Sequence, residues 1–337
     1  MDILVCGAQV PFTSGGAELH MTNLVAALHA AGHRAELVRL PVAWEKDRLF
    51  DSALAWRMVP LDAELVIATN FPSYYARHPR KVVWLFHQHR GAYDSIDAGW
   101  SDLAGLDDPT LETQRQLTEW DARALSEAKR LFTTSGVVAD RLARFTGLRG
   151  DPLYHPPPLH DLLHPGPFGD YVFVPTRLEA NKRPELVIDA IAAAPSGVRA
   201  VIAGRGTLRD SLIERAARAG VAERVEFPGF VSDDRLIELY AGALAVLYAP
   251  FDEDYGYVTL QAFAAGKPVI TATDSGGVLE WVVDGETGFV TDGSAEQLGA
   301  AISRLAEDPG LAERMGAAGR ERVAALNWPD VVSRLLS

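Results

Sequence analysis

At 337 residues the chain is long for one α/β domain and comfortable for two of roughly 150 each. A composition of 48% hydrophobic and 23% charged residues excludes disorder, and a formal net charge of −13 argues against a nucleic-acid partner, because neither half carries a basic stripe. No apolar run reaches the ~18 residues of a membrane helix, so membrane association is not indicated, and the single cysteine, Cys6, excludes an internal disulfide.

The first predicted strand, Ile3 to Cys6, starts at the initiator Met with no basic leader and no small-residue cleavage site, which makes the expected setting cytoplasmic. A helix from about Ala17 to Ala31, closed by Gly32, follows it. Further strands are expected at Arg34 to Leu40, Leu65 to Thr69, Val82 to Phe86 and Leu131 to Thr134. The Pro- and His-rich stretch from Asp151 to Gly169 reads as a linker, after which the alternation restarts with Tyr171 to Pro175 and a helix opening near Pro184. Strands at Ala200 to Ala203, Val225 to Phe227, Ala245 to Tyr248 and Val269 to Thr271 complete a second half built like the first. Beyond Ser294 come three helical stretches, the last from about Pro329 to Leu336. The pattern is α/β, with two doubly wound parallel sheets and no internal repeat.

Chemistry concentrates at three places. The loop Thr13-Ser14-Gly15-Gly16-Ala17-Glu18 leads from the first strand into a helix. Its glycines permit close backbone approach and the helix N-terminus favours a phosphate, although an ordinary βα turn is an equal reading. Arg177 and Lys182 flank the loop after Tyr171 to Pro175, where open α/β sheets bind ligands; they suit an anion, or they are two solvated charges. Cations at a helix start oppose the macrodipole and call for a compensating reason. The most informative stretch runs from Pro250 through Asp252, Glu253, Asp254, Tyr255, Gly256, Tyr257 and Val258 to Gln261, followed by Gly266-Lys267-Pro268. There a strand ends, carboxylates cluster and a helix begins; acidic helix capping is the simpler alternative.

The stretch from Glu253 to Gln261, taken with Arg177, Lys182, the Gly15-Gly16 loop and the tail from Ser275-Gly276-Gly277 to Gly288, resembles glycosyltransferase family 4. That family is retaining and has the GT-B fold: two Rossmann-like domains facing a central cleft. The resemblance implies an acceptor-side domain over 1–165, a donor-side domain over 168–322, and a C-terminal helix within 323–337 that crosses back to the first domain. It also implies a transferase that moves a sugar from a nucleoside-diphosphate sugar to a small-molecule, glycan or lipid-linked acceptor, without a cofactor or metal. Glu253 then touches hydroxyls of the transferred sugar, and Gly256, Tyr257 and Val258 lend backbone N–H groups. Arg177 and Lys182 clamp the diphosphate, and His87 lies under the donor sugar, with His89 beside it as a rival. Phe230 and Val231 match the base-holding segment, for which hydrophobic core is an equal reading. Gly204 belongs to a glycine turn facing the nucleotide.

One departure stands out. The family's second Glu, which holds the ribose hydroxyls, is Gln261 here, which keeps an acceptor oxygen but loses the charge and predicts weaker ribose binding. Asp252-Glu253-Asp254 also fits a D-x-D metal-binding pattern, but that pattern belongs to a fold with a single nucleotide domain. The segment between Gln88 and Gln114, with Tyr93 and Trp100, is the candidate acceptor region. A GT-B sugar-nucleotide epimerase and a catalytically impaired nucleotide-sugar-binding subunit are the competing readings.

Overall fold

The computed structural model describes residues 1–11, 15–93, 103 and 107–337. The chain divides into two compact units, Met1–His155 with Asn327–Ser337, and Pro156–Leu326.

In the first unit, strands β1 (Asp2–Gln9), β2 (Arg34–Pro41), β3 (Leu65–Ala68), β4 (Lys81–Leu85), β5 (Arg130–Thr133) and β6 (Asp151–Pro152) form a parallel sheet in the order β2-β1-β3-β4-β5-β6. Helices α1 (Gly16–Ala30), α2 (Leu49–Met58), α3 (Asp108–Ser126) and α4 (Gly136–Thr146) connect them. Strand residues alternate between two apolar layers. Ile3, Val5, Ile67 and Trp84 join Met21 and Leu24 of α1, while Cys6, Val66, Val83 and Leu85 join Trp56 of α2, Leu117 of α3 and Leu142 of α4. Burial on both faces is why these strands read as continuous apolar runs.

The second unit repeats the scheme with β7 (Tyr171–Pro175), β8 (Arg199–Ala203), β9 (Val225–Gly229), β10 (Ala245–Leu247), β11 (Val269–Ala272) and β12 (Gly288–Thr291), parallel in the order β12-β11-β10-β7-β8-β9. Its helices are α5 (Glu185–Ala193), α6 (Arg209–Arg218), α7 (Asp233–Ala241), α8 (Tyr257–Ala264), α9 (Ala295–Glu307) and α10 (Pro309–Val323). Both units are Rossmann-like α/β domains. Strand β12 opens on a glycine. A Cβ on Gly288 would lie 1.9 Å from the Val269 carbonyl oxygen, so only glycine lets the two strands pair there.

The terminal helix α11 (Trp328–Leu336) belongs to the first unit. Asn327 caps it by accepting a hydrogen bond from Asp330 N at 2.8 Å, and Val331, Val332 and Leu335 are buried in the layer that holds Met21 and Leu24. The stretch read as a linker divides differently from the expectation. Asp151–Pro152 is the edge strand β6, and the chain from Pro156 onward is part of the second unit. Two buried side chains bind that proline-rich stretch. Lys267 Nζ donates to the Gly166 and Pro167 carbonyls at 2.9 Å each and lies 3.8 Å over the Phe168 ring, and Gln261 Nε2 donates to Pro158 O at 3.1 Å.

Candidate active site

In the second unit the sheet runs outward from β7 through β8 to β9, then returns to start again with β10 on the other side of β7. Connections leave this reversal in opposite directions, and the carboxyl ends of the strands at such a reversal, here β7 and β10, are where open α/β sheets bind ligands. The loop after β7 carries Arg177 and Lys182, and the loop after β10 carries Glu253.

Lys182 Nζ forms a hydrogen-bonded ion pair with Glu253 Oε2. The same oxygen accepts from the Tyr248 hydroxyl at 2.8 Å, while Oε1 accepts nothing among the described residues. Both partners of the pair are largely shielded, with side-chain exposures of 13% for Lys182 and 19% for Glu253, so their attraction is screened less than that of a surface pair. Burial, then the Glu253 charge, drives the Tyr248 hydroxyl well above its ordinary pKa, which keeps it a donor; the Arg177 charge opposes that shift.

Glu253 is held by main-chain pairing with the segment after β11. Asp252 N donates to Asp274 O at 2.9 Å, Glu253 N to Ser275 O at 3.3 Å, and Gly277 N to Glu253 O at 2.6 Å. A Cβ on Gly276, at φ 59°, would sit 2.6 Å from the Glu253 carbonyl oxygen. The Ser275-Gly276-Gly277 run therefore works by letting two backbones touch. Gly256, at φ 82°, then turns the chain into α8, whose first-turn amides at Tyr257 and Val258 lack an i−4 carbonyl partner within the helix.

Arg177 is exposed, and its guanidinium makes no hydrogen bond or ion pair among the described residues. Gly204 N donates to Gly229 O at 2.8 Å, which ties the turn after β8 to the last residue of β9, where the next loop begins. Phe230 on that loop is 71% exposed, so it is a surface ring and not core, and the Arg205 guanidinium lies 5.4 Å from its centroid. Val231 beside it is half-buried. Gln261 sits apart from this polar group. It is buried, its Oε1 accepts from the Tyr240 hydroxyl at 3.0 Å, and its Nε2 is the donor to Pro158.

In the first unit, His87 follows β4 and is half-buried. Its Nδ1 lies 2.8 Å from Gln88 O, and because a carbonyl only accepts, Nδ1 carries the proton and Nε2 of the neutral ring is left as an acceptor. Nε2 has no hydrogen-bond partner among the described residues. His89 differs, since its ring stacks on Trp44 at 5.5 Å and 19°. Gly15 caps α1 and its N–H is 2.9 Å from the Glu18 carboxylate; Gly16 opens the helix. Thr13, Ser14 and Trp100 lie outside the described residues, whereas Tyr93 is buried and donates to Asp121 at 2.6 Å. Sequence reasoning passed over Tyr248, Arg183 and Asp274. Tyr248 was hidden as the last apolar residue of an expected strand. Arg183 carried the same signal as Lys182, a cation at a helix start.

The chain thus carries two Rossmann-like domains, one with a cation–carboxylate pair at its strand reversal. Residues 169–322 match the family model described as glycosyl transferases group 1. The chain is 34% identical over 165 residues to a glycogen synthase of Mycobacterium tuberculosis, a match covering 47% of this chain and 39% of that protein. It is 26% identical over 386 aligned positions to a D-inositol 3-phosphate glycosyltransferase of Nocardia farcinica, covering 100% of this chain and 83% of that one. Its fold is that of Anabaena Alr3699/HepE, solved with UDP and glucose, at a TM-score of 0.75 and 19% identity, over 100% of this chain and 98% of the other. The family match is confined to residues 169–322, and the structural likeness extends over the whole chain as a likeness of fold. No helix among the described residues is long and apolar enough to cross a membrane.

Proposed function

We propose that the protein is a retaining, metal-independent glycosyltransferase that transfers a sugar from a nucleoside-diphosphate sugar to a hydroxyl-bearing acceptor. The observation that carries this reading is the Lys182–Glu253 pair at the β7/β10 reversal, with the exposed, unpaired Arg177 on the same loop as Lys182. In the reaction, the bond from the anomeric carbon to the diphosphate breaks and its electrons stay on the phosphate oxygen. The acceptor oxygen bonds to the same face of that carbon, and its proton passes to the departing phosphate.

Stabilising the new phosphate charge is the main demand on the protein, and Arg177 and Lys182 meet it. Each cation within ~4 Å of the phosphate supplies up to about 4 kcal/mol before desolvation. Glu253 Oε1 accepts from sugar hydroxyls, the α8 amides at Gly256, Tyr257 and Val258 donate to the donor, and Phe230, Val231 and Gly204 hold the nucleotide. His87 Nε2, Gly15 and Gly16 are the proposed ligand contacts of the first unit. Metal independence is supported by Glu253 being engaged by an ammonium and a phenol on one oxygen, an arrangement that competes with a cation. The setting proposed is the cytoplasm.

The similarity to a protein solved with UDP and glucose makes UDP-glucose the first donor to try. A donor present at 100 times its dissociation constant adds about 2.7 kcal/mol of stability, readily seen by thermal shift. Lys182→Gln is expected to abolish most of that gain, and turnover is expected to survive EDTA and give a product of unchanged anomeric configuration by NMR. No stabilisation by any of a panel of UDP-, GDP- and ADP-sugars would sink the reading; so would inversion, or EDTA-abolished turnover restored by Mn²⁺.

A further inference from the structure

We propose that Arg183, next to Lys182, is a positioning residue that fastens the Lys182 loop to the Glu253 loop and so sets the geometry of the pair. The proposal rests on the donor-site reading given above. Arg183 occupies the left-handed region at φ 48°, where a residue with a Cβ is disfavoured and glycine is at ease, and it is followed by Pro184. Its side chain supplies the offset. Nε donates to Ala249 O at 2.8 Å and Nη2 to Pro250 O at 3.0 Å, while Nη1 and Nη2 form a two-pronged pair with Asp274 at 2.8 and 2.6 Å.

These contacts join three loops. Ala249 and Pro250 lead from β10 to Glu253, and Asp274 precedes the Ser275–Gly277 run that pairs with Glu253. Arg183 itself closes the short 3-10 turn Ala180–Lys182, and Phe251 N reaches back to Asn181 O at 2.9 Å. The guanidinium is 19% exposed and planar, so it holds all three loops at fixed angles in a way a flexible ammonium does not. Asp252 in the same loop is also left-handed, at φ 44°, a conformation that persists where surrounding bonds over-determine it.

Arg183→Gly tests this directly, because glycine accepts the backbone conformation and only the fastening is lost. In the full chain without ligand, hydrogen exchange at Phe251, Asp252 and Gly277 is expected to quicken by about tenfold or more, with β7 and β10 protected as before. Titrated separately with UDP, GDP and ADP, the variant is expected to bind the preferred nucleotide about tenfold more weakly, with Arg183→Lys intermediate. Arg183→Gly combined with Asp274→Asn should lose little more than Arg183→Gly alone. Unchanged exchange in these loops, or loosened loops with unaltered nucleotide affinity, overturns the proposal. A wild-type chain that binds none of the three nucleotides defeats the donor-site reading instead, and the exchange result alone then decides whether Arg183 holds the pair.

Discussion

Gln261 shows how much one side chain's surroundings decide. The family resemblance implies a ribose contact at Gln261, and in the structure its amide bridges Tyr240 and the Pro158 carbonyl. A carboxylate cannot donate, so Gln261→Glu would set a charge against the Pro158 oxygen. The expected loss is about 1 to 3 kcal/mol of stability, seen as a lower Tm in the absence of nucleotide. An unchanged Tm with tighter UDP binding would instead return Gln261 to the ribose. At this scale the sequence exposes residue types and spacings well. Glu253, Lys182 and Arg177 were singled out by their charge at a helix start and by the family resemblance, whereas Tyr248 and Arg183 were not, because their roles depend on which oxygen they meet.

Among the elements, α3 carries the group with the clearest pH dependence. Asp121 is fully buried and accepts from Tyr75 at 2.5 Å and Tyr93 at 2.6 Å. Burial pushes its carboxyl up from 3.8 to about 6, with the tyrosine hydrogen bonds opposing. An acid whose folded pKa is raised stabilises fully below its unfolded value, and that stability is lost as pH rises from about 4 through 6. His20 and His155, buried and driven below the ordinary histidine range chiefly by burial, act in the opposite sense over the same window, since the unfolded chain binds their protons more readily. The informative quantity is therefore the difference between the wild type and Asp121→Asn. Relative to that variant, the wild type should lose about 2 kcal/mol in urea unfolding between pH 4 and 7. A flat difference would mean that the Asp121 carboxyl has the same pKa in the folded and the unfolded chain. Periodicity located β1 to β5, β7 to β11 and α1 to within a few residues, whereas β6 is only two residues long and β12 opens on glycine.

For the molecule as a whole, the path of the chain matters more than any single element. Helix α11 completes the apolar layer of the first unit although 171 residues of the second unit, Pro156–Leu326, precede it in the chain. Removing Asn327–Ser337 uncovers Met21 and Leu24 and deletes three buried side chains, Val331, Val332 and Leu335, each worth about 1.5 to 3 kcal/mol. That sum rivals the ~5 to 15 kcal/mol stability of a domain. Calorimetry of the truncated chain should show the first unit's transition lost or sharply lowered, with the second unit's retained; two unaltered transitions would contradict this. The amino-acid sequence by itself determined the α/β class, the two-domain plan and the chemical types at the strand ends, because apolar periodicity and charge placement are local properties of the chain. Tertiary structure alone decided that Lys182 and Glu253 share an oxygen's distance, that Gln261 faces a proline carbonyl, and that the proline-rich stretch belongs to the second unit. Those outcomes depend on strand order, and strand order brings residues dozens of positions apart into contact in a way no local pattern records.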